Sequence, residues 1–237
     1  MLRFLRFLFL LALIPALGFA GYVWWLGIDS SRASTCRGDV VRGYLQGGAR
    51  VPYAGDNFRA YSFLGFLAGR TFVHSAVRDA IRDAYADLAK SHPDLRFVYA
   101  ESGWPWGGPF PPHKTHANGT AVDFMVPVRI GPPPGIVSEV PTHILNQFGY
   151  ALDFDRQGRS GDYTIDFEAM ALHLMALEKA AKARGIRLQS VIFDGPLQPK
   201  LFASPTGAQL QGKMHFIGQA WIRHDEHYHV NFAVPCK

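Results

Sequence analysis

The chain has two cysteines, no internal repeat, no low-complexity tract and no run of basic residues. Without repeats or biased tracts it reads as one globular unit behind an N-terminal apolar segment. Lys and Arg are scattered, so nucleic acid is not an expected partner despite the net charge of +5. That mild excess suits an anionic surface such as a cell wall or membrane. No cysteine follows the small residues Gly18-Phe19-Ala20, which argues against a lipoprotein anchor. Hydrophobic residues make up 48% of the chain, enough to bury a core of useful size.

What is present begins at the N-terminus. Arg3 and Arg6 precede an apolar stretch over residues 7–28, broken only by Pro15 and glycines. Such a stretch is long enough to cross a bilayer, and Trp24 and Trp25 suit the interfacial belt. The preferred reading is an uncleaved inner-membrane anchor over 7–28; a cleaved signal peptide ending near Ala20 is the alternative. Either way the remainder is exported, so the chain divides into an anchor or signal segment, 1–30, and a domain, 31–237. Cys36 and Cys236 bracket that domain. In an oxidising compartment a bridge between them is expected, stabilising by roughly 4–5 kcal/mol in the chain-entropy model; two free thiols are the other reading.

Residues 30–51 are polar and Gly-rich and read as a linker. Over 75–91, Val77, Ala80, Ile81, Ala84 and Leu88 recur at helical spacing before Pro93. Strands are expected over 95–100 and 121–128. A Gly/Pro/Trp-rich loop over 102–112 leads into His113, and Gly131-Pro-Pro-Pro-Gly135 reads as a turn or a stiff extended connection. A hairpin is expected within 149–165. A helix over 166–184 has Met170, Leu174, Leu177 and Ala181 on one face and Gly185 at its end. Strands over 189–193 and 227–234 finish the domain. Helices and strands do not alternate regularly, which predicts an α+β fold with a mainly antiparallel sheet and flanking helices.

Two clusters carry the chemistry. His113, His116 and Asp123 stand in one; His224, His227 and His229 stand in the other. On a strand, His227 and His229 share a face while Tyr228 points away. Asn118-Gly119-Thr120 permits the tight turn that brings His116 and Asp123 together. Any one of these histidines alone reads as a surface or hydrogen-bonded core residue. Two compact groups of ligand-type side chains predict a metal-dependent hydrolase.

His116-x6-Asp123 followed by His227-x-His229 resembles the signature of the lysostaphin / D-Ala-D-Ala carboxypeptidase / hedgehog group of zinc peptidases. The additional His113 and His224 make the chain most similar to the penicillin-insensitive murein endopeptidases. The likeness covers about half the chain, from the strand near Val98 to the Val-Pro-Cys ending, and is not carried over to residues 36–72. It implies a hedgehog-like fold in which His116, Asp123 and His229 hold zinc and His227 is the catalytic histidine. His224 joins it as a catalytic candidate or, like His113, as a further ligand or a group behind the ligands. The family's possible second-metal pair is an Asp followed three residues later by His. Here Asp166 is followed by Ala169, so one zinc is expected, and His173 is expected to pack or hydrogen-bond on its helix.

Zinc can lower the pKa of a bound water from about 15.7 to about 7, and a histidine can shuttle a proton to the leaving amine. The expected activity is a periplasmic D,D-endopeptidase acting on peptidoglycan stem peptides. A D,D- or L,D-carboxypeptidase of the same group and a non-catalytic zinc-stabilised wall-binding domain are the alternatives. Trp104 and Trp106 read equally as groove walls or as loop packing. Glu101 reads first as a solvated strand end, with an acceptor for a substrate amine as the alternative. Asp225 and Glu226 read first as solvated charges, with orienting the imidazoles from behind as the alternative.

Overall fold

The computed structural model of the protein describes Leu11, residues 13–19, Gly21, Tyr22 and residues 33–237. The expected anchor over 7–28 lies largely outside the described residues. Those of it that are described are helical. No helix among the described residues is long and apolar enough to cross a membrane.

The strands are β1 (Thr35–Gly38), β2 (Gly43–Gln46), β3 (Ala49–Arg50), β4 (Phe58–Ala60), β5 (Phe72–Val73), β6 (Phe97–Tyr99) and β7 (Ala121–Met125). They continue as β8 (Val128–Ile130), β9 (Ile136–Ser138), β10 (Arg159–Ser160), β11 (Tyr163–Ile165), β12 (Arg187–Ile192), β13 (Phe216–Ile217) and β14 (His227–Ala233). The helices are α1 (Phe63–Leu67), α2 (Ser75–Ser91), α3 (Phe167–Ala183) and α4 (Gln198–Ala203). A six-stranded sheet in the order β13-β12-β14-β7-β6-β4 forms the centre, and a four-stranded sheet, β10-β11-β8-β9, lies beside it. Pairing is antiparallel throughout except for β4 with β6 and β12 with β13. The fold is α+β and mostly antiparallel, as expected.

The two faces of the central pair do different work. In β14 and β7 the register sets Tyr228 opposite Phe124 and His229 opposite Asp123. Side chains alternate across a strand, so Phe124, Tyr228, Val230 and Phe232 share one face and Asp123, His227 and His229 the other. Helices α2 and α3 pack on each other and cover the first face. Their periodic residues put Val77, Ala80, Ile81, Ala84 and Leu88 of α2, and Met170, Leu174, Leu177 and Ala181 of α3, into one core. Helix α3 starts where Asp166 accepts a hydrogen bond from Ala169 N at 2.9 Å and stops before Gly185, at φ +73°. Asp166 also pairs with Arg129 Nε at 2.6 Å, a purely structural engagement of that carboxylate.

Two expectations need correction. Residues 30–51 are not a linker where described: β1 pairs with β2, and β3 pairs with β5. Cys36 is bonded to Cys236 across 200 residues of sequence, and Lys237 N donates to Cys36 O at 2.9 Å. Glycines there serve tight strand connections rather than flexibility. The strand expected over 121–128 breaks after Met125, because Pro127 has no N–H to continue a ladder. Beyond it β8 turns into the second sheet. Residues 131–135 form the β8–β9 turn, and the hairpin expected within 149–165 is confined to β10 and β11.

His173 lies in the aromatic core, its Nδ1 2.5 Å from the Tyr228 hydroxyl and its ring against Tyr85, Phe97 and Phe124. Burial pulls its pKa down to about 3. The unfolded chain therefore takes up a proton at His173 below its ordinary pKa near 6.5, while the folded protein does so only near pH 3. The folded state binds fewer protons in that window, so this residue makes stability fall as pH drops through it. Replacing His173 by Phe is expected to flatten the acid limb between pH 6.5 and 3, read by urea unfolding across that range.

Candidate metal centre

Asp123 is fully buried in the middle of the sheet face that the helices leave uncovered. Its cross-strand partner His229 brings Nδ1 to 2.7 Å from Oδ1, the closeness expected of directly opposed residues. His116 enters from the loop before β7, with Nε2 3.4 Å from Oδ1. From the same loop, His113 places Nδ1 3.6 Å from Oδ2, and His227 on β14 places Nε2 3.8 Å from Oδ2. Tyr150 donates its hydroxyl to Oδ2 at 3.0 Å.

The loop that delivers His116 is held in a tight shape. His116 has φ +76°, a left-handed conformation that costs energy for a residue with a side chain. Gly119 has φ +75°, and a Cβ there would lie 2.6 Å from Leu45 Cδ2 and 3.0 Å from His74 N. Asn118 Oδ1 accepts from Thr120 Oγ1 at 2.7 Å, and Asn118 Nδ2 donates to Cys236 Sγ at 3.6 Å. Ala117 N donates to Val40 O at 2.9 Å. The disulfide and the β1–β2 ribbon thus brace the loop from outside.

The outward nitrogen of each ring fixes what the inward one presents. His116 Nδ1 lies 3.1 Å from Ser102 O and 3.2 Å from Ala121 O; both only accept, so Nδ1 carries the proton. His113 Nε2 donates to Glu101 Oε2 at 2.6 Å, and His227 Nδ1 donates to Glu226 Oε1 at 2.8 Å. His229 Nε2 donates to Asn231 Oδ1 at 2.9 Å. In neutral imidazoles every inward nitrogen therefore offers a lone pair toward a carboxylate. His116 Nε2 is buried with no hydrogen-bond partner among the described residues. Lone pairs facing an anion repel unless a proton or a metal ion lies between them, so the donor set fits a cation. His113, His116 and Asp123 bring their ligand atoms within 4.8 Å of one another and could hold a metal ion. His229 Nδ1 shares the same carboxylate.

Charge balance without a metal falls on protons. Burial opposes ionisation of Asp123, but His116 and His227 beside it outweigh that and hold its pKa well below the carboxylate range. Burial likewise lowers His227, and the charges of Asp123 and Glu226 reverse the effect, raising it to about 8. His224 donates Nδ1 to Ile222 O at 2.9 Å, and its ring lies tilted against that of His227 with the centres 4.5 Å apart. Burial and that neighbour bring it down to about 4.

Three charges expected to be solvated are buried instead. Glu101 accepts from Arg70 through both oxygens, from Tyr61 at 2.7 Å and from His113. Burial would raise its pKa; the hydrogen bonds from His113 and Arg70 outweigh that and hold it at about 2. Glu226 orients His227, and Asp225 accepts from Phe154 N at 2.6 Å. Tyr150 is a further member that the sequence reading missed; it follows Gln147 and Phe148, both at positive φ, in a segment with no periodic pattern.

A cleft of about 670 Å³ opens over these residues, within the range of small-molecule sites. Glu101, His113, Tyr150, His224, His227 and His229 form its floor, and Val41, Phe148, Trp221 and Ile222 are among its apolar walls. Trp104 and Trp106 are not part of it: they stack on each other, Trp104 against Phe110. Loop packing describes Trp104, while Trp106 stands half exposed beside it.

Replacing Asp123 by Asn or His116 by Ala is expected to abolish stoichiometric binding of a divalent metal ion, measured by competition with a chromophoric chelator. Glu101→Gln is expected to retain binding with affinity weakened roughly 10–100-fold, because it frees the ring of His113.

No protein-family model matches the chain, and no curated protein matches it.

Proposed function

We propose that this chain is an exported zinc peptidase that cuts peptide cross-links in peptidoglycan. In this reading it is a D,D-endopeptidase related to the penicillin-insensitive murein endopeptidases of the lysostaphin / D-Ala-D-Ala carboxypeptidase / hedgehog group. The observation that carries the reading is the convergence of four imidazoles on Asp123. Each has its outer nitrogen engaged and its inner nitrogen directed at the carboxylate. A purely structural site has no need of His227, whose inward nitrogen lies farthest from the carboxylate and faces the cleft.

His116, Asp123 and His229 would hold the zinc, with His113 as a further ligand or a group behind them. When bound, the metal supplies Lewis acidity toward an amide carbonyl and acidifies a water at neutral pH. The chain's own residues do the rest. Glu226 holds the Nδ1 proton of His227, leaving Nε2 as the atom that takes a proton from water and gives it to the leaving amine. His224, beside it and held neutral, keeps a second positive charge away from that nitrogen. Tyr150 stays protonated, because burial and the neighbouring Asp123 and Glu101 raise its pKa well above the usual range. Its hydroxyl keeps Asp123 oriented. The disulfide supports an oxidising compartment such as the periplasm.

Digestion of purified cross-linked peptidoglycan by the protein is expected to convert dimeric muropeptides to monomers. A chelator should stop it and added zinc restore it, with products identified by mass spectrometry. His227→Ala should lower turnover by at least about 100-fold, the scale of general acid–base catalysis, while zinc remains bound. Release of one terminal residue from monomers would instead indicate a carboxypeptidase. Zinc binding without any cleavage would sink the enzyme reading in favour of a wall-binding domain.

A further inference from the structure

The walls of the cleft carry an asymmetry of charge that the zinc chemistry does not use. Among the side chains that line it, Glu101 is neutralised by Arg70 and Glu226 by His227. Lys114 also lines it, one residue along from His113, and has no ion pair among the described residues. Its ammonium lies 4.6 Å from the centre of the Trp221 ring. Trp221 comes from the segment between β13 and β14, and Lys114 from the loop before β7, so two separate segments meet at this wall.

A cation over an aromatic face is attracted by the ring's quadrupole and needs no acceptor atom on that side. The N–H donors of Lys114 that point away from the ring remain for a ligand. The surrounding wall is apolar, and Val41, Trp221 and Ile222, each more than half exposed, supply no acceptor side chain to compete for the ammonium. A charge-assisted hydrogen bond is roughly twice as strong as one between neutral groups.

We infer that Lys114, positioned on Trp221, is a specificity residue that binds a carboxylate of the peptide substrate. The inference rests on the cleft being the substrate site of the proposed peptidase. A carboxylate can come from the α-carboxyl of a terminal residue or from an acidic side chain. Both offer the same two acceptor oxygens, and the test separates them.

Zinc-loaded protein and its Lys114→Met variant are assayed on three muropeptide dimers: one with free carboxylates, one amidated at the α-carboxyl and one amidated at the side chains. The Met variant is expected to raise KM about tenfold on the free dimer, as for loss of one charge-assisted pair, with kcat changed less than about threefold. Amidating the contacted carboxylate should raise the KM of the unaltered protein by a similar factor and cancel the effect of Lys114→Met. The amide that does so identifies the source. Lys114→Arg should restore most of the loss. An equal loss on all three dimers, or none on any, overturns the inference while leaving the peptidase reading intact. If the unaltered protein cleaves none of them, the peptidase reading fails and calorimetric titration with the same dimers decides the inference. Binding weakened by Lys114→Met only where the carboxylate is free supports it. Binding indifferent to Lys114, or no binding, overturns it.

Discussion

A carboxylate sealed from water in the middle of a sheet is the constraint around which this domain is organised. Isolated, the charge of Asp123 would cost several kcal/mol to bury. The protein surrounds it with imidazoles and a tyrosine hydroxyl, and each of those is tied outward to a second acceptor or donor. Glu101 and Glu226 bring further negative charge into the region, and Arg70 offsets part of it. The result is an electrostatic well shaped for a cation. Its depth comes from this arrangement, since the protein's net charge is positive.

The same residue type plays opposite parts on the two faces of one sheet. His173 sits among aromatic rings with no carboxylate beside it, and burial keeps it neutral. His227, equally enclosed, faces Asp123 and Glu226 and is driven the other way. Counting histidines does not separate these roles. The sign of the nearest charge does, and strand alternation decides which charge is nearest.

That division explains what could be read from the sequence. Helices α2 and α3 were legible because their apolar residues repeat at helical spacing, and Asp166 and Gly185 mark the ends of α3. The His-x-His pair was legible because alternation alone puts both rings on one face. Glu101 was not: its partners Arg70, Tyr61 and His113 come from three other segments, and nothing local distinguishes it from an exposed strand end. Tyr150 was missed for a related reason, since an irregular segment gives no period from which to infer where its hydroxyl points. The glycine-rich stretch after Cys36 looked like a linker because very short strands carry little pattern, even though the bridge from Cys36 to Cys236 was expected.

The pairing of β14 with β7 has a further consequence for fidelity. A slip of one residue would turn His227, His229 and Asn231 into the aromatic core and Tyr228 and Val230 out toward the cleft. Such a chain would bury unpaired imidazoles against Phe124 and leave Asp123 without its cross-strand partner. Misassembly is thereby penalised at the very positions that converge on Asp123. Molecules that pass the stability test of folding arrive with the centre already assembled, so quality control of the fold doubles as quality control of the site.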